Sequence, residues 1–515
     1  MRIIQIAAEF APIAKAGGLG EVLLGLTREL IQQHHSVEVL IPKYSFIQPQ
    51  ALNQLKIEVP DYRCTEKGQS ISNTMWSAVA EDCPIHLLEA RHPSGYFHRD
   101  NIYGYPDDIA RFLYFSRAAI EYLKLKGEPI DILHIHEWHT AACAVLLRSL
   151  YMKELSIGNV IFTIHNLEYQ GKCAPHDLDA IGLDGASFLS PNQLQDPDFR
   201  YPQTINLLKG GIVHADAINT VSPTYAKEIV TPKLGCGLSS TLKKAKLSGI
   251  LNGIDSKLWN PALDPFLAAR YCADDSLAKI VKAKTANKDF LKKRYSLNWT
   301  GRPLVGSITR LAPQKGTHLI KEAIHQTLNA GGAFVLLGST PDSVIHQEFA
   351  EIKELYKDNP HVLILFEHNE ELAHQLYGAL DFLLVPSISE PCGLTQLIAL
   401  RYGTIPIIRS TGGLKDTVFD CEDGEVLLQQ RNGFVFYEPT PAALNSALLR
   451  AFNLFRTDVA THQTLLRRGM QCDYSWKKPT QEYLSLYRKL SESSQKTRRS
   501  HVRIEQAGSV KNKII

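Results

Sequence analysis

The chain has 515 residues, of which 44% are hydrophobic and 21% are charged, and its formal net charge is +3. This length predicts two large domains, and the composition is typical of globular proteins with a sizeable core. So small a net charge argues against nucleic acid as a partner. No apolar run is long enough to span a bilayer, so we expect no membrane partner.

The cysteines and the N-terminus both bear on location. Nine cysteines are scattered along the chain with no CxxC pair, which favours reduced thiols. The opening residues MRIIQI run directly into a strand-like pattern and lack the layout of a signal peptide. Both features predict a cytoplasmic protein.

Apolar runs alternate with amphipathic segments in the first half, a pattern typical of βαβ units. Strands are predicted at Ile3 to Ala7, Val37 to Ile41, Ile132 to His136, Val160 to Ile164 and Ala217 to Thr220. Helices are predicted at Gly18 to Gln33 and at Asp107 to Lys124. Residues 57–88 predict hairpins, and the stretch 172–201, rich in Asp, Pro and Gly, predicts a long loop.

A second alternating series begins near residue 303. Strands are predicted at Leu304 to Ile308, Ala333 to Leu337, Val362 to Phe366, Phe382 to Pro386 and Ile405 to Ile408. The fold class is therefore α/β, with two tandem, Rossmann-like, doubly wound parallel sheets. Ligands of such sheets lie beyond the carboxyl ends of the strands, and we expect the two domains to face a cleft.

These series also predict the domain boundaries. The first domain spans residues 1–258, a polar, Lys-rich connection spans 259–301, and the second domain spans 302–475. A closing amphipathic helix is predicted within 476–490. The tail 491–515 is rich in Ser, Lys and Arg, and we predict that it is disordered.

The most informative motif is SEPCGLTQ, residues 389–396, between a predicted strand and a predicted helix. A glycine turn at a helix start predicts an anion site, because the first amides lack partners and carry the positive end of the helix dipole. The carboxylate of Glu390 can accept hydrogen bonds from sugar hydroxyls. A phosphate site beside a sugar site indicates a sugar nucleotide.

Basic residues follow the first strand of each predicted domain. Arg310 and Lys315 flank a turn in TRLAPQKG, and two cations there predict a diphosphate clamp. In KAGGLG, Lys15 precedes glycines that allow close approach to a ligand. That run does not match GxGxxG, so a dinucleotide site is disfavoured. A glycine turn that serves only chain geometry stays open.

Histidines end two further strands of the first domain. HIHEWH, residues 134–139, contains potential metal ligands, but the sequence shows no second ligand cluster, so a ligand-binding turn is the better interpretation. His165 and Asn166 offer donors and acceptors to a neutral sugar. A structural role stays open, above all for His134.

Together these motifs resemble the bacterial glycogen synthases and plant starch synthases, glycosyltransferase family 5. The resemblance extends in order to about residue 490 and rests on KAGGLG at Lys15, IYGYPDDIARF at Ile102, HEWH at His136, IHN around His165, VSPTYAKEI at Val221, ILNGID at Ile250, TRLAPQKG at Thr309, EPCGLTQ at Glu390, RYGTIPI at Arg401, TGGLKDTV at Thr411, NGF at Asn432 and YSW at Tyr474.

The resemblance implies the two-domain fold known as GT-B, in which the closing helix over 476–490 crosses back to the first domain. It implies transfer of glucose from ADP-glucose to the non-reducing end of an α-1,4-glucan, with retention at the anomeric carbon. No metal or other cofactor is expected. The implied partners are the nucleotide-sugar donor and the glucan acceptor, and self-association stays open.

The resemblance also implies roles for single residues. Lys15, Arg310 and Lys315 would contact the donor phosphates, and Glu390 would hold sugar hydroxyls. His165 would contact the glucose, with its main-chain carbonyl facing the positive charge that develops at the anomeric carbon. The implied donor site also includes Gly17, Gly18, Asn166, Asn252, His368, Cys392, Gly393, Leu394 and Thr395. The implied sugar and acceptor pocket includes Glu21, Tyr103, Glu137 and His165.

Three positions depart from the family pattern. Glu21 and Glu137 stand where the family has Asp, and misplacement by about 1 Å can cost on the order of a hundredfold in rate. His368 stands where many members carry a tyrosine that stacks on the base. Use of UDP-glucose and a catalytically impaired glucan-binding protein therefore stay open. The Lys15 glycine run and EPCGLTQ disfavour a sucrose or trehalose-phosphate synthase.

Overall fold

The computed structural model describes residues 1–493. This part of the chain forms two compact units. Unit 1 comprises residues 1–221, 226–253 and 476–493, and unit 2 comprises residues 222–225 and 254–475. None of the described helices has both the length and the apolar character that crossing a bilayer requires.

The strands form two main sheets and a small third one. The strands are β1 Arg2–Ile6, β2 Ser36–Pro42, β3 Asn53–Glu66, β4 Gln69–Ala80, β5 Cys83–Ala90, β6 Ile130–His136, β7 Ile157–Ile164, β8 Lys172–Cys173, β9 Ile205–Asn206, β10 Ala217–Thr220, β11 Leu247–Gly249, β12 Leu304–Arg310, β13 Ala333–Ser339, β14 Val362–Leu365, β15 Phe382–Val385, β16 Ile405–Arg409 and β17 Phe434–Phe436. Each strand predicted from the sequence overlaps one of them.

Helices connect the parallel strands. They are α1 Gly18–Gln32, α2 Asp108–Lys126, α3 Trp138–Leu146, α4 Pro175–Asp179, α5 Leu207–His214, α6 Pro223–Glu228, α7 Ser239–Lys244, α8 Leu277–Arg294, α9 Thr317–Asn329, α10 Ser343–Leu355, α11 Glu370–Ala379, α12 Thr395–Arg401, α13 Gly412–Thr417, α14 Pro441–Thr457 and α15 Val459–Gln471. A last helix begins at residue 477 and reaches the end of the described residues.

Unit 1 contains a nine-stranded sheet in the order β11-β10-β7-β6-β1-β2-β5-β4-β3. The strands from β11 to β5 are parallel, whereas β4 pairs antiparallel with both β5 and β3. The predicted hairpins over residues 57–88 are therefore confirmed. Strand β1 lies inside the sheet, and Ile3, Ile4 and Ile6 are buried because helices cover both faces.

Unit 2 contains a six-stranded parallel sheet in the order β14-β13-β12-β15-β16-β17. Successive residues of its strands enter two different cores. Val335 packs in one core with α8 and α11, while its neighbours Phe334 and Leu336 pack in the other with α9 and α14. Because side chains alternate along a strand, both faces of this sheet are covered. The predicted α/β class with two doubly wound sheets is confirmed.

The stretch 172–201 is not the long loop that was predicted. It contains β8, α4 and a short 3₁₀ turn at Gly185–Phe188. The segment is ordered by polar contacts that the sequence pattern does not reveal. The buried Asp196 carboxylate accepts from Asn206 Nδ2 at 2.8 Å, and Lys209 Nζ donates to the Gln195 carbonyl at 2.7 Å.

Residues 259–301, predicted as a connection between domains, instead belong to unit 2. Trp259, Tyr271 and Trp299 are buried in its core. The Lys-rich composition does not indicate that this segment is part of a core, because one of its lysines, Lys284 of α8, is itself buried. Lys284 Nζ lies 3.1 Å from both the Tyr402 carbonyl and Thr404 Oγ1. Burial lowers the pKa of Lys284 to about 7.

The closing segment packs in unit 1. Trp476, Tyr483 and Tyr487 are buried against Val22 and Leu26 of α1. The predicted disordered tail, residues 491–515, lies outside the described residues except for 491–493, which continue the last helix.

A buried histidine joins three strands of unit 1. His86 of β5 has Nε2 at 2.7 Å from Glu38 of β2 and Nδ1 at 2.9 Å from Glu58 of β3. Nδ1 also lies 3.2 Å from the hydroxyl of Tyr122, and Lys126 Nζ lies 2.7 Å from Glu58. Burial opposes the charged form of His86, but the two carboxylates outweigh it and raise its pKa.

We predict that the stability contributed by His86 depends on pH. A raised folded-state pKa means that this contribution is present below the unfolded pKa of about 6.5 and is lost as pH rises through the folded pKa. His86→Gln should therefore lower the free energy of unfolding by about 1–3 kcal/mol near pH 5.5 and by less near pH 8.5. Thermal denaturation at both pH values measures this.

The matched control is His98→Gln, which changes an exposed histidine of the same unit and should be near neutral at both pH values. A destabilisation by His86→Gln that grows from pH 5.5 to pH 8.5 would contradict the assignment.

Candidate active site

A buried carboxylate organises the turn after β1. Glu9 Oε2 accepts from the amides of Ala16 and Gly17 at 2.8 and 2.9 Å, and Oε1 accepts from the Tyr103 hydroxyl at 2.8 Å. Glu9 was not among the predicted site residues, although a lone carboxylate inside the apolar run from Ile6 to Ala11 was a usable signal. Buried charges need such partners, so Glu9 fixes the glycine turn.

Lys15 lies on the turn that Glu9 holds. Its Nζ is 2.7 Å from Glu21 Oε1, and both side chains are partly buried. Helix α1 begins at Gly18 with Gly17 as its N-cap, and no side chain caps it. A Cβ at Gly20 would lie 3.1 Å from the Ala11 amide nitrogen, so the helix packs closely on the turn. The side chain of Glu21, which is one methylene longer than the Asp of the family pattern, contacts Lys15 directly.

Glu137 organises the neighbouring strand ends. Its Oε1 accepts from the amides of His165 and Asn166 at 2.6 and 2.7 Å, which holds the turn after β7. Burial raises the pKa of Glu137 to about 8, against the lowering effect of those amides. The residue has φ of 64°, a left-handed conformation that is uncommon outside glycine. Such strain is typical of functional sites.

The histidines of this edge differ in their surroundings. Both ring nitrogens of His134 are satisfied, by Thr163 Oγ1 at 2.6 Å and by the Tyr487 hydroxyl at 2.9 Å, so His134 has a structural role. His165 Nε2 lies 3.1 Å from His136 Nδ1. Burial lowers the pKa of His165 to about 3, so its ring is neutral near pH 7.

Two other predicted residues of unit 1 have distinct contacts. The ring of Tyr103 lies 4.7 Å from that of His139. Asn252 is buried, and its Oδ1 has no hydrogen-bond partner among residues 1–493. A buried amide oxygen without a partner is costly unless a ligand supplies one, which supports a binding role for Asn252.

In unit 2, the residues predicted to bind sugar and phosphate contact each other. Lys315 Nζ lies 2.8 and 2.6 Å from the two carboxylate oxygens of Glu390. Ser387 Oγ donates to Glu390 Oε2 at 2.8 Å. Glu390 is buried, whereas Lys315 keeps 19% of its side chain exposed. The pair therefore fixes both charges while leaving the ammonium accessible.

The turn after Glu390 presents backbone amides. The N–H groups of Gly393, Leu394 and Thr395 have no acceptor within the described part of the chain. Gly393 adopts φ of 73°, and Gln396 Nε2 donates to its carbonyl at 2.8 Å. A Cβ at Gly412 would lie 1.9 Å from the Glu390 carbonyl, so only glycine allows this close packing. The arrangement is typical of an anion site.

The remaining donor-side residues of unit 2 follow other strands. Arg310 is exposed at the end of β12, His368 is exposed between β14 and α11, and Cys392 is buried in the turn after β15. Because β12, β14 and β15 are parallel members of one sheet, their carboxyl ends share one edge. No cluster of three or more potential metal ligands occurs among residues 1–493.

Known proteins share this organisation. Residues 2–244 match the family described as "Starch synthase catalytic domain", and residues 289–457 match "Glycosyl transferases group 1". The glycogen synthase of Protochlamydia amoebophila is 44% identical, with 95% of this chain and 99% of that protein covered. Glycogen synthase 1 of Nitrosococcus oceani is 40% identical, with 96% and 100% covered.

Two solved structures are also similar to this chain. The catalytic domain of starch synthase IV from Arabidopsis thaliana, solved with ADP and acarbose bound, has a TM-score of 0.91 and 43% identity, with 95% of this chain and 99% of that chain covered. Sucrose-phosphate synthase from Thermosynechococcus elongatus has a TM-score of 0.60 at 19% identity, with 96% and 99% covered, which shows the fold alone.

The two parallel-sheet units and these matches define a glycosyltransferase of the GT-B class. Within that class, the chain belongs to the glycogen synthase and starch synthase family. The predicted resemblance is thereby confirmed.

We predict that Glu137 acts as a hydrogen-bond acceptor for the turn that carries His165. Glu137→Ala leaves two amides without their acceptor, which should cost about 1–3 kcal/mol for each amide that stays buried and unpaired. Glu137→Gln is the matched control, because its amide oxygen can still accept. Melting temperature and turnover should fall strongly in the first variant and only slightly in the second. Equal losses would show that the charge matters instead.

Proposed function

We propose that the protein transfers glucose from ADP-glucose to the non-reducing end of an α-1,4-glucan, with retention of configuration, in glycogen biosynthesis. The observation that carries this proposal is the Lys315–Glu390 pair in unit 2, followed by the amides of Gly393 to Thr395. A cation, a carboxylate and free amides in one turn suit a sugar bound to a diphosphate. The relative solved with ADP supports an adenine nucleotide.

The phosphate end of the proposed donor site is already organised. An ammonium carries three donors, and Glu390 takes two from Lys315, which leaves one for a phosphate oxygen. Arg310, exposed at the end of β12, offers a planar pair of donors. As the diphosphate leaves, its growing negative charge is met by these cations and by the amides. Preorganised charge of this kind is usually the largest catalytic effect.

Glu390 is proposed to orient the glucose. Its carboxylate is held by Lys315 and Ser387 and retains lone pairs that can accept from sugar hydroxyls. Glu390 is therefore a positioning acceptor in this proposal, not a nucleophile.

Unit 1 is proposed to supply the groups that face the sugar and the acceptor. Glu137 accepts from the amide of Asn166, which shares a planar peptide group with the His165 carbonyl, so that carbonyl is fixed and is suited to stabilise positive charge at the anomeric carbon. Asn166, Asn252 and Tyr103 would add polar contacts. The acceptor hydroxyl would attack from the face that the diphosphate leaves. The new glycosidic bond forms as the bond to the phosphate oxygen breaks, and that oxygen takes the hydroxyl proton.

We also propose that the reaction needs no metal, because Lys15, Arg310 and Lys315 supply the positive charge that a divalent cation would otherwise bring. The proposed partners are the nucleotide sugar and the glucan. A cytoplasmic location is supported by the nine cysteines, all of which are free thiols.

The donor assay tests the function directly. Purified protein with glycogen should release nucleoside diphosphate faster from ADP-glucose than from UDP-glucose, and added EDTA should not change the rate. A preference for UDP-glucose would overturn the proposed donor. No release with either donor, from protein with a cooperative thermal transition, would favour a glucan-binding protein without activity.

We predict that Lys315→Ala lowers turnover by about 100- to 1,000-fold, because one preorganised donor to the leaving group is lost. The matched control is Lys321→Ala, which removes another lysine of unit 2 that pairs with a glutamate, Glu348, at 2.8 Å. Steady-state kinetics of both variants and their melting temperatures measure the effect. Near-normal turnover in folded Lys315→Ala would refute the clamp.

A further inference from the structure

The proposed reaction uses no atom of His136, the buried histidine that ends β6. The ring of His136 is fully buried, and its Nδ1 lies 3.1 Å from Nε2 of His165, which is a hydrogen-bond distance. His165 is half-buried, and its ring makes no other hydrogen bond within residues 1–493. Because His136 is enclosed by protein, it can act on the reaction only through His165.

Three hydrogen bonds fix the main chain around His136. Its amide donates to Thr140 Oγ1 at 2.8 Å, and the Thr140 hydroxyl donates to the His136 carbonyl at 2.7 Å. The amide of the next residue, Glu137, donates to the Thr163 carbonyl at 3.0 Å. The ring of His136 therefore extends from a backbone that is held on both sides.

A chain of directed hydrogen bonds holds the ring on which His136 packs. The His134 ring centroid lies 4.1 Å from that of His136. Thr163 Oγ1 donates its one proton to Asn219 Oδ1 at 2.5 Å, so it can only accept from His134 Nε2, at 2.6 Å. Burial lowers the pKa of His134 to about 3, so its ring is neutral and its single proton lies on Nε2. Its Nδ1 therefore accepts from the Tyr487 hydroxyl at 2.9 Å, and the ring cannot turn without losing these bonds.

The same reasoning gives the direction of the hydrogen bond between His136 and His165. Burial lowers the pKa of both rings, so each is neutral and carries one proton near pH 7. The Nε2 of His136 is buried and has no partner among residues 1–493. Buried N–H groups without an acceptor are rarer than buried acceptors without a donor, so the proton of His136 belongs on Nδ1. His136 then donates to His165 Nε2, and the proton of His165 lies on Nδ1.

We infer that His136 is a positioning residue for the transfer reaction, which holds the His165 ring in one orientation and one tautomer, with an N–H donor at Nδ1 for a hydroxyl of the bound glucose. The inference rests on the proposed function, because that function places the glucose beside His165. A donor that is oriented before the sugar binds needs no reorganisation during the reaction, so it stabilises the transition state more than a ring that is free to turn.

Two substitutions of similar size test this role. Asn carries an amide nitrogen at the position of the histidine Nδ1 and can still donate to His165, whereas Leu has a similar shape and no donor. His136→Leu should lower kcat with ADP-glucose about 100-fold and change its KM by less than about threefold, because a bound sugar meets a misplaced ring. His136→Asn should keep kcat within about tenfold of wild type. A role in packing alone predicts equal losses or a larger loss with Asn, because Leu is less costly to bury.

His462 of unit 2 provides the matched control. It is also buried, and its Nε2 likewise has no partner within the described residues 1–493. His462→Leu and His462→Asn should both keep the wild-type kcat, and melting temperatures establish that all four variants are folded. Equal kcat in folded His136→Leu and His136→Asn, or a near-normal kcat in His136→Leu, would overturn the inference.

The tautomer of His165 can be measured without substrate and without any change at His136. In protein with isotopically labelled histidine, NMR spectra that link ring nitrogens to ring hydrogens distinguish the two neutral forms, and the signals of His165 are those missing from His165→Gln. The wild type should show His165 protonated at Nδ1, and protonation at Nε2 would refute the assigned direction. This readout is independent of turnover, whereas the proposed function fails if the wild type releases no nucleoside diphosphate in the donor assay.

Discussion

In both units a buried carboxylate that follows a parallel strand organises the proposed site. Glu9 follows β1, Glu137 follows β6 and Glu390 follows β15, and each is at most 6% exposed. A buried carboxyl group is costly without hydrogen-bond partners, so each one requires donors around it. In unit 1 the donors are backbone amides of the turns that carry Lys15 and His165. The requirement for partners thereby fixes the turns.

The Lys315–Glu390 pair illustrates why such contacts serve function more than stability. Pairing a buried carboxylate with a lysine recovers the cost of desolvation and adds little net stability. Its benefit is positional, because both charges are held before a ligand arrives. A charge that need not reorganise during the reaction stabilises a developing charge more effectively. Ser387 and the close packing of Gly412 on the Glu390 backbone hold the same geometry.

Much of the fold followed from the sequence, because parallel strands buried on both faces give apolar runs that are easy to recognise. The motif at residues 389–396 was also informative, since its glycine and carboxylate are adjacent in the chain. Contacts between distant residues could not be predicted in this way. Glu9 reaches Tyr103 across 94 positions, and Lys284 is buried although its segment reads as polar. Burial of a charged side chain depends on partners that periodicity does not encode.

The three positions that depart from the family pattern, Glu21, Glu137 and His368, have different structural surroundings. The longer side chains of Glu21 and Glu137 both make short polar contacts, with Lys15 at 2.7 Å and with the His165 amide at 2.6 Å. In each case the extra methylene is accommodated by a partner in the same unit. His368 has no comparable support, because it is exposed after β14. Lys15, Lys315 and Glu390 are thus held by polar contacts within their units, whereas Arg310 and His368 are exposed. Under the proposed assignment, a substitution at His368 would alter selection of the base and leave the Lys315–Glu390 pair in place.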